Sequence, residues 1–199
     1  MTEGFILTRQ WHEPRRGRGV TLDLWLATEA GPRLVQITDQ EVVLFIARDQ
    51  VDQVAALLQP RRDWRMAEVA LKTFHNRPVN ALYLRSQRLL RDLRERLKQA
   101  SIDCWEADIR PADRFLMERF ITGACRLLPD PDQAQTAAES ASAPWRNPRL
   151  APADYRPRLR LASIDIETSM DARQLYSIAV LAEGVRRVFM VGEAEVERQ

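Results

Sequence analysis

Cysteine, histidine and lysine are nearly missing from this 199-residue chain, with two of each. Cys104 and Cys125 fall at no spacing with His12 or His75 that builds a zinc site. So little thiol excludes a disulfide framework and fits a reduced, cytoplasmic compartment. Neither histidine sits near a cysteine or serine in a pattern that would make it a general base, so each reads as an ordinary surface or satisfied residue. No apolar run approaches the ~18 residues of a membrane span. The start, Met1-Thr2-Glu3-Gly4-Phe5, has no charged segment followed by an apolar one, so no secretory leader is expected. Only 7 glycines are present, and none forms a Gly-rich phosphate loop or a Gly-x-Ser-x-Gly nucleophile elbow. Lys72 and Lys98 are the only lysines among 30 cationic residues, the rest being arginine. Arginine suits bidentate phosphate contact. A GC-rich codon bias, which also favours alanine, gives the same excess. A net charge of +2 is too mild to prove a nucleic-acid partner.

What is present is a chain 45% hydrophobic, long enough for one large or two small domains. Its first third has a period of two. Gly4 to Gln10 reads as a strand around Phe5-Ile6-Leu7. Val20 to Thr28 puts Val20, Leu22, Leu24 and Leu26 on one face against Thr21, Asp23 and Trp25 on the other. Turns at Arg15–Gly19 and Glu29–Pro32, with a third strand over Arg33–Ile37, predict a β-meander.

A different rhythm follows. Strands are expected at Val42–Ile46, Trp64–Thr73, Val79–Leu84 and Ile102–Glu106. Asp49 is placed to cap a helix through Val51, Val54, Leu57 and Leu58 that ends at Pro60, with Arg77-Pro78 in a turn. Ser86 is placed to cap a helix over Gln87–Gln99 with Leu89, Leu90, Leu93 and Leu97 on one stripe. The order β-α-β-β-α-β is that of a ferredoxin-like unit. Phe45 and Tyr83 on its strands could offer a stacking surface to single-stranded nucleic acid; aromatics in apolar strands are more often core. The second helix exposes Arg88 and Arg91, with Glu95 and Asp92 spaced to pair within the helix. That face is either solvated or phosphate-contacting. A helix over Ala112–Ile121 is expected to pack through Phe115, Leu116 and Phe120.

The stretch from Pro129 to Ala143 is poor in apolar bulk and rich in Pro, Ala, Ser and acids, and reads as a linker extending to about 147. It divides a domain at 1–147 from one at 148–199. The second contains strands at Arg158–Glu167, Leu175–Ala182 and Arg186–Val191, with Gly184 at a turn. Three strands with no closing helix predict a domain that is incomplete here. Along its first strand Asp165 and Glu167 share one face, about 7 Å apart, while Ile164 and Ile166 point to a core. Two carboxylates suit a hard divalent cation, Mg²⁺ or Mn²⁺. Two such cations serve phosphodiester cleavage. An Asp-x-Glu arises by chance on the order of once in such a chain. On strand geometry alone the pair is equally a solvent-facing edge.

The surroundings add a resemblance. Leu161-Ala162-Ser163-Ile164-Asp165-Ile166-Glu167-Thr168 resembles the first exonuclease motif of family B DNA polymerases. Trp105 to Pro111 and Arg114 to Ile121 resemble the segment preceding that motif. Gly4 to Arg9 and Ala70 to His75 narrow the likeness to bacterial members. The resemblance implies an α+β protein: an N-terminal template-side domain, then the start of a ribonuclease-H-like 3′→5′ exonuclease domain. It implies that Asp165 and Glu167 are catalytic metal ligands for proofreading. The parent would act in DNA replication and repair on primer-template DNA and deoxynucleotides, with a sliding clamp as a possible partner. Tyr83, Arg88 and Arg91 are the expected nucleic-acid contacts. The remaining exonuclease aspartates and the polymerase aspartates of the family are not among these residues, so this piece alone is expected to be inactive. The competing expectations are a stand-alone single-strand-binding module and an interaction protein unrelated to nucleic acid.

Overall fold

A computed structural model describes residues 2–14, 19–58, 63–128 and 143–192. Most of the Arg15–Gly19 turn and of the expected linker lies outside them. The chain divides into two compact units, Met1–Pro157 and Arg158–Gln199.

The first unit holds two sheets. Strands β1 (Thr2–His12), β2 (Val20–Thr28) and β3 (Gly31–Gln40) form an antiparallel meander. The alternation along β2 explains it: Val20, Leu22, Leu24 and Leu26 are all completely buried, while Trp25 on the other face is exposed. The meander is the centre of a wider sheet. Strand β8 (Ala124–Leu128) pairs with β1, β10 (Arg149–Pro152) pairs with β8, and β9 (Trp145–Arg146) runs parallel to β3. The order is β10-β8-β1-β2-β3-β9. Because β9 and β10 belong to this sheet, the division between the units falls after Pro157, ten residues beyond the expected 147/148.

The second sheet contains β4 (Val42–Ala47), β5 (Trp64–Lys72), β6 (Pro78–Leu84) and β7 (Cys104–Trp105), in the order β5-β6-β4-β7 with every pairing antiparallel. Helices α1 (Val51–Leu57) and α2 (Gln87–Gln99) bury Val54, Leu90, Leu93 and Leu97 against Leu44, Ile46, Leu82 and Leu84. The same core runs on into β2 and β3 and takes in Phe115 and Leu116 of α3 (Pro111–Met117). Fully burying one such aliphatic side chain contributes roughly 1.5–3 kcal/mol.

Polar ties join the parts. Ser86 caps α2 as expected, its hydroxyl accepting from the Leu89 N–H at 3.1 Å. Glu13, just past β1, accepts from the N–H groups of Gln87 at 2.6 Å and Arg88 at 3.3 Å, so the free N–H groups of α2 hold the end of the first sheet. An Arg9–Asp113 ion pair ties β1 to α3. His12 Nδ1 lies 3.2 Å from an Asp23 oxygen, which gives this histidine a structural neighbour.

Several expectations are corrected. Asp49 caps nothing: it lies in a 3-10 turn (Arg48–Gln50), the N-cap of α1 is Gln50, and the Asp49 carboxylate accepts two hydrogen bonds from Arg77 at 2.9 and 3.0 Å. Pro78 opens β6 instead of turning. The Ile102–Glu106 strand shrinks to two residues, because Glu106 takes a left-handed φ of 58°. Helix α3 stops at Met117, and Phe120, also left-handed at φ 54°, is 85% exposed while Ile121 is buried in its place. Neither expected ion pair along α2 closes among the described residues; Arg96 instead donates to the Leu57 carbonyl at 3.4 Å.

The second unit is an antiparallel sheet of β11 (Ala162–Thr168), β12 (Leu175–Ala182) and β13 (Val185–Met190), in that order. Gly184, at φ +71°, makes the tight turn between the last two, a conformation that costs glycine little. Ile164 and Ile166 are 62% and 56% exposed, so among the described residues the core expected beneath them is not formed.

Two outcomes follow for stability. Leu44→Ala should lower unfolding free energy by about 2–5 kcal/mol in chemical denaturation, whereas Phe120→Ala should change it by less than about 0.5 kcal/mol. Burial of Cys125 pushes its thiol up to about 11. Its neutral form is therefore favoured by folding, a stabilisation fully present below the unfolded thiol range and lost as pH rises toward 11. Alkylation at pH 8 should spare Cys125 in the native chain and modify it in denaturant.

Candidate functional site

Side chains directly opposite one another on paired strands share a sheet face. In the second unit, Asp165 is opposite Ala179, which is opposite Val188; Glu167 is opposite Ser177, which is opposite Met190. Ser163, Leu181 and Arg186 complete that face. Ile164, Ile166, Ile178, Val180 and Phe189 lie on the reverse. The register thus gives the sheet a mostly apolar side, with Arg187 opposite Val180, and a side where two carboxylates stand among small or aliphatic residues and Arg186. Asp165 and Glu167 are both exposed, and among the described residues neither accepts a hydrogen bond or joins an ion pair.

The register slips between Glu167 and Thr168, the last residue of the strand, which pairs with Leu175. A braced turn follows. The Ser169 hydroxyl donates to Asp171 at 2.6 Å and accepts from the Gln174 N–H at 3.0 Å, and the Arg173 N–H donates to Asp171 at 3.2 Å. The Ser169 hydroxyl first, and then the Arg173 N–H, hold the Asp171 carboxyl below its ordinary range. Nothing in the sequence pattern marks this turn as ordered, because its bonds link side chains to backbone over two to five residues.

The donor set suits a hard cation in kind: two carboxylates on one exposed face. It falls short in number, since no three of His, Cys, Asp and Glu gather at one point among the described residues.

Tyr83, Arg88 and Arg91 are not brought together. Leu82 and Leu84 of β6 face α2, so Tyr83 between them faces away, toward Val43, Phe45, Val79, Ala81, Val69 and Trp105. Arg88 and Arg91 are exposed on α2, on the helix side of that sheet. The Tyr83 ring is also occupied. The Arg65 guanidinium lies 3.8 Å from its centroid and is held by Glu41 through bonds of 2.6 and 3.0 Å. Glu41, and then Tyr83, push Arg65 above its ordinary range. Together with Val43, Arg114 and Phe115, Glu41 and Tyr83 line a cavity of about 140 Å³. Phe45 is buried, and Arg114 sits 5.4 Å from its ring centroid. Sequence reasoning did not find Arg65 or Glu41, because they reach Tyr83 only through the pairing of β5 with β6.

Known proteins match along this frame. The family model described as DNA polymerase II, N-terminal, matches residues 4–41, and that described as DNA polymerase II, insertion domain, matches residues 42–102. DNA polymerase II of Escherichia coli (strain K12) is 41% identical over 190 residues, covering 95% of this chain. The chain belongs to the DNA polymerase II family, matching its N-terminal portion. It spans 23% of the length of that relative. The junction of the two family regions falls between β3 and β4, where the chain leaves the first sheet for the second. A match of 190 residues also takes in β11, with both carboxylates of this DNA polymerase II homologue.

Because Asp165 and Glu167 have no partners among the described residues, their neutral isosteres should leave the fold alone. Asp165→Asn and Glu167→Gln should each shift unfolding free energy by less than about 0.5 kcal/mol. Loss of several times that amount in a denaturant titration would give the pair a structural role.

Proposed function

We propose that this chain is the N-terminal portion of a DNA-directed DNA polymerase that proofreads, and that Asp165 and Glu167 are the first carboxylates of its 3′→5′ exonuclease. The observation that carries the reading is the register of β11. It sets two unpaired acids on one exposed sheet face with aliphatic residues on the reverse, in a chain 41% identical to a DNA polymerase II. Exposed carboxylates left without partners are available to a cation, and Mg²⁺ or Mn²⁺ is the class that such oxygen donors prefer. When bound, a pair of such ions would stabilise both the entering and the leaving oxygen at the scissile phosphate. In this reading further ligands come from outside the described residues, and the contribution of this chain is to hold two acids in register on a rigid strand.

The fold supports the rest of the reading. The order β5-β6-β4-β7 with two helices on one face is the pattern of a split-βαβ, ferredoxin-like unit. Strands β11–β13 would be the opening strands of a ribonuclease-H-like domain. The N-terminal domain, expected at 1–147 from composition, would lie beside the single-stranded template. The parent would take primer-template DNA and deoxynucleotides in the cytoplasm, at the nucleoid, and could engage a sliding clamp in replication and repair.

A second reading, a single-strand-binding module without catalysis, is favoured by the half-buried aromatics Tyr83 and Trp105, on the face of the second sheet away from α1 and α2. The two differ in one experiment. In the intact polymerase, Asp165→Ala or Glu167→Ala should abolish degradation of a 3′-labelled single strand while template-directed extension continues. Undiminished degradation in both variants would sink the exonuclease assignment and leave the binding reading standing.

A further inference from the structure

The hairpin joining β5 to β6 ends in a side chain that the fold does not use. Phe74 is completely exposed, at 106%, and Leu71 at the end of β5 is 52% exposed. A lone exposed aromatic on a soluble protein needs no explanation. This one differs in how it is held and in what surrounds it.

The tip is fixed. The Thr73 N–H donates to the Arg77 carbonyl at 2.9 Å and the Asn76 N–H donates to the Thr73 carbonyl at 2.9 Å. The Thr73 hydroxyl accepts from the N–H groups of His75 at 3.3 Å and Arg77 at 3.2 Å. Asn76 closes the turn at a left-handed φ of 59°. Outside the turn, the two bonds from Arg77 to Asp49 anchor the arm to the 3-10 turn. A loop braced this way loses little freedom on binding, which lowers the cost of association.

The surroundings are cationic. From Val69 to Pro78 there is no acid, and Lys72, His75 and Arg77 flank the aromatic. Lys72 is one of only two lysines in the chain. An aromatic face for a base, with cations and donors for the adjoining phosphates, is the chemistry by which proteins hold single strands without reading sequence. Arg77 is held by Asp49, so Lys72 and the His75 imidazole are the groups beside the aromatic, and they favour a phosphate-bearing strand over a purely apolar partner.

We propose that the β5–β6 tip is a contact for single-stranded DNA in which Phe74 stacks on an unpaired base while Lys72 and His75 hold the flanking phosphates. The site is distinct from Tyr83, whose ring Arg65 covers, and from Arg88 and Arg91 on α2. It rests on the family's assignment to DNA, and not on the exonuclease reading.

The test uses the 199-residue chain and a fluorescein-labelled oligothymidylate, with anisotropy as the readout. Stacking contributes about 1–3 kcal/mol per base, so Phe74→Ala should weaken binding about 5- to 150-fold, and Phe74→Trp should restore it. An oligonucleotide of abasic sites should bind wild type and Phe74→Ala alike. Binding is measured in EDTA, where no divalent cation is available to Asp165 and Glu167, which separates this result from the exonuclease assignment. Phe74→Ala binding within about two-fold of wild type, with an unchanged unfolding midpoint, would overturn the proposal and point to a protein partner. An equal loss on the abasic strand would overturn it as well, by showing that no base is stacked.

Discussion

Everything in this chain depends on the strict two-residue alternation of paired strands. On β2 it buries four aliphatic side chains completely and turns Trp25 outward. On β6 it sends Leu82 and Leu84 under α2 and Tyr83 to the opposite face. On β11 it separates Asp165 and Glu167 from Ile164 and Ile166. A slip of one residue would exchange the faces, and on β2 it would put Asp23 where the core lies. The cost of burying an unpaired carboxylate is several kcal/mol, so register is firmly specified where a core exists.

That constraint also decides what could be read in the sequence. Strands β2 and β12 were legible to the residue, because turns and alternation frame them. Helix α2 was legible from its leucine stripe and from Ser86. The six-stranded breadth of the first sheet was not. Strands β8, β9 and β10 are short; β8 and β9 find their places through partners more than a hundred residues away in sequence, as with Gly4 opposite Cys125 and Val35 opposite Trp145, and β10 joins only by way of β8. The false cap at Asp49 has a physical cause too: Arg77 offers it two charged hydrogen bonds, more than one helical N–H could return. Phe120 was taken for core because its apolar character fits a helix that ends three residues earlier.

The candidate site divides in the same way. A carboxylate pair is visible in sequence, but its freedom from partners is not, and that freedom is what separates a waiting ligand from a structural acid. Conversely, Tyr83 looked free and is occupied by Arg65, an interaction that only strand pairing creates. Arg88 and Arg91 keep their exposure and stand on the other face of the sheet from the tyrosine, so the three expected nucleic-acid contacts are not brought together. The homology to DNA polymerase II gives these local arrangements a common setting. It covers the N-terminal portion of such an enzyme, 23% of its length.

The central claim is that the acids of β11 are held ready for a divalent cation. Mn²⁺ titration of the chain, followed by the loss of the free-ion electron paramagnetic resonance signal, tests it most directly. Wild type should take up Mn²⁺ weakly and saturably, and the double variant Asp165→Asn, Glu167→Gln should not. Identical uptake by the two chains would contradict the account.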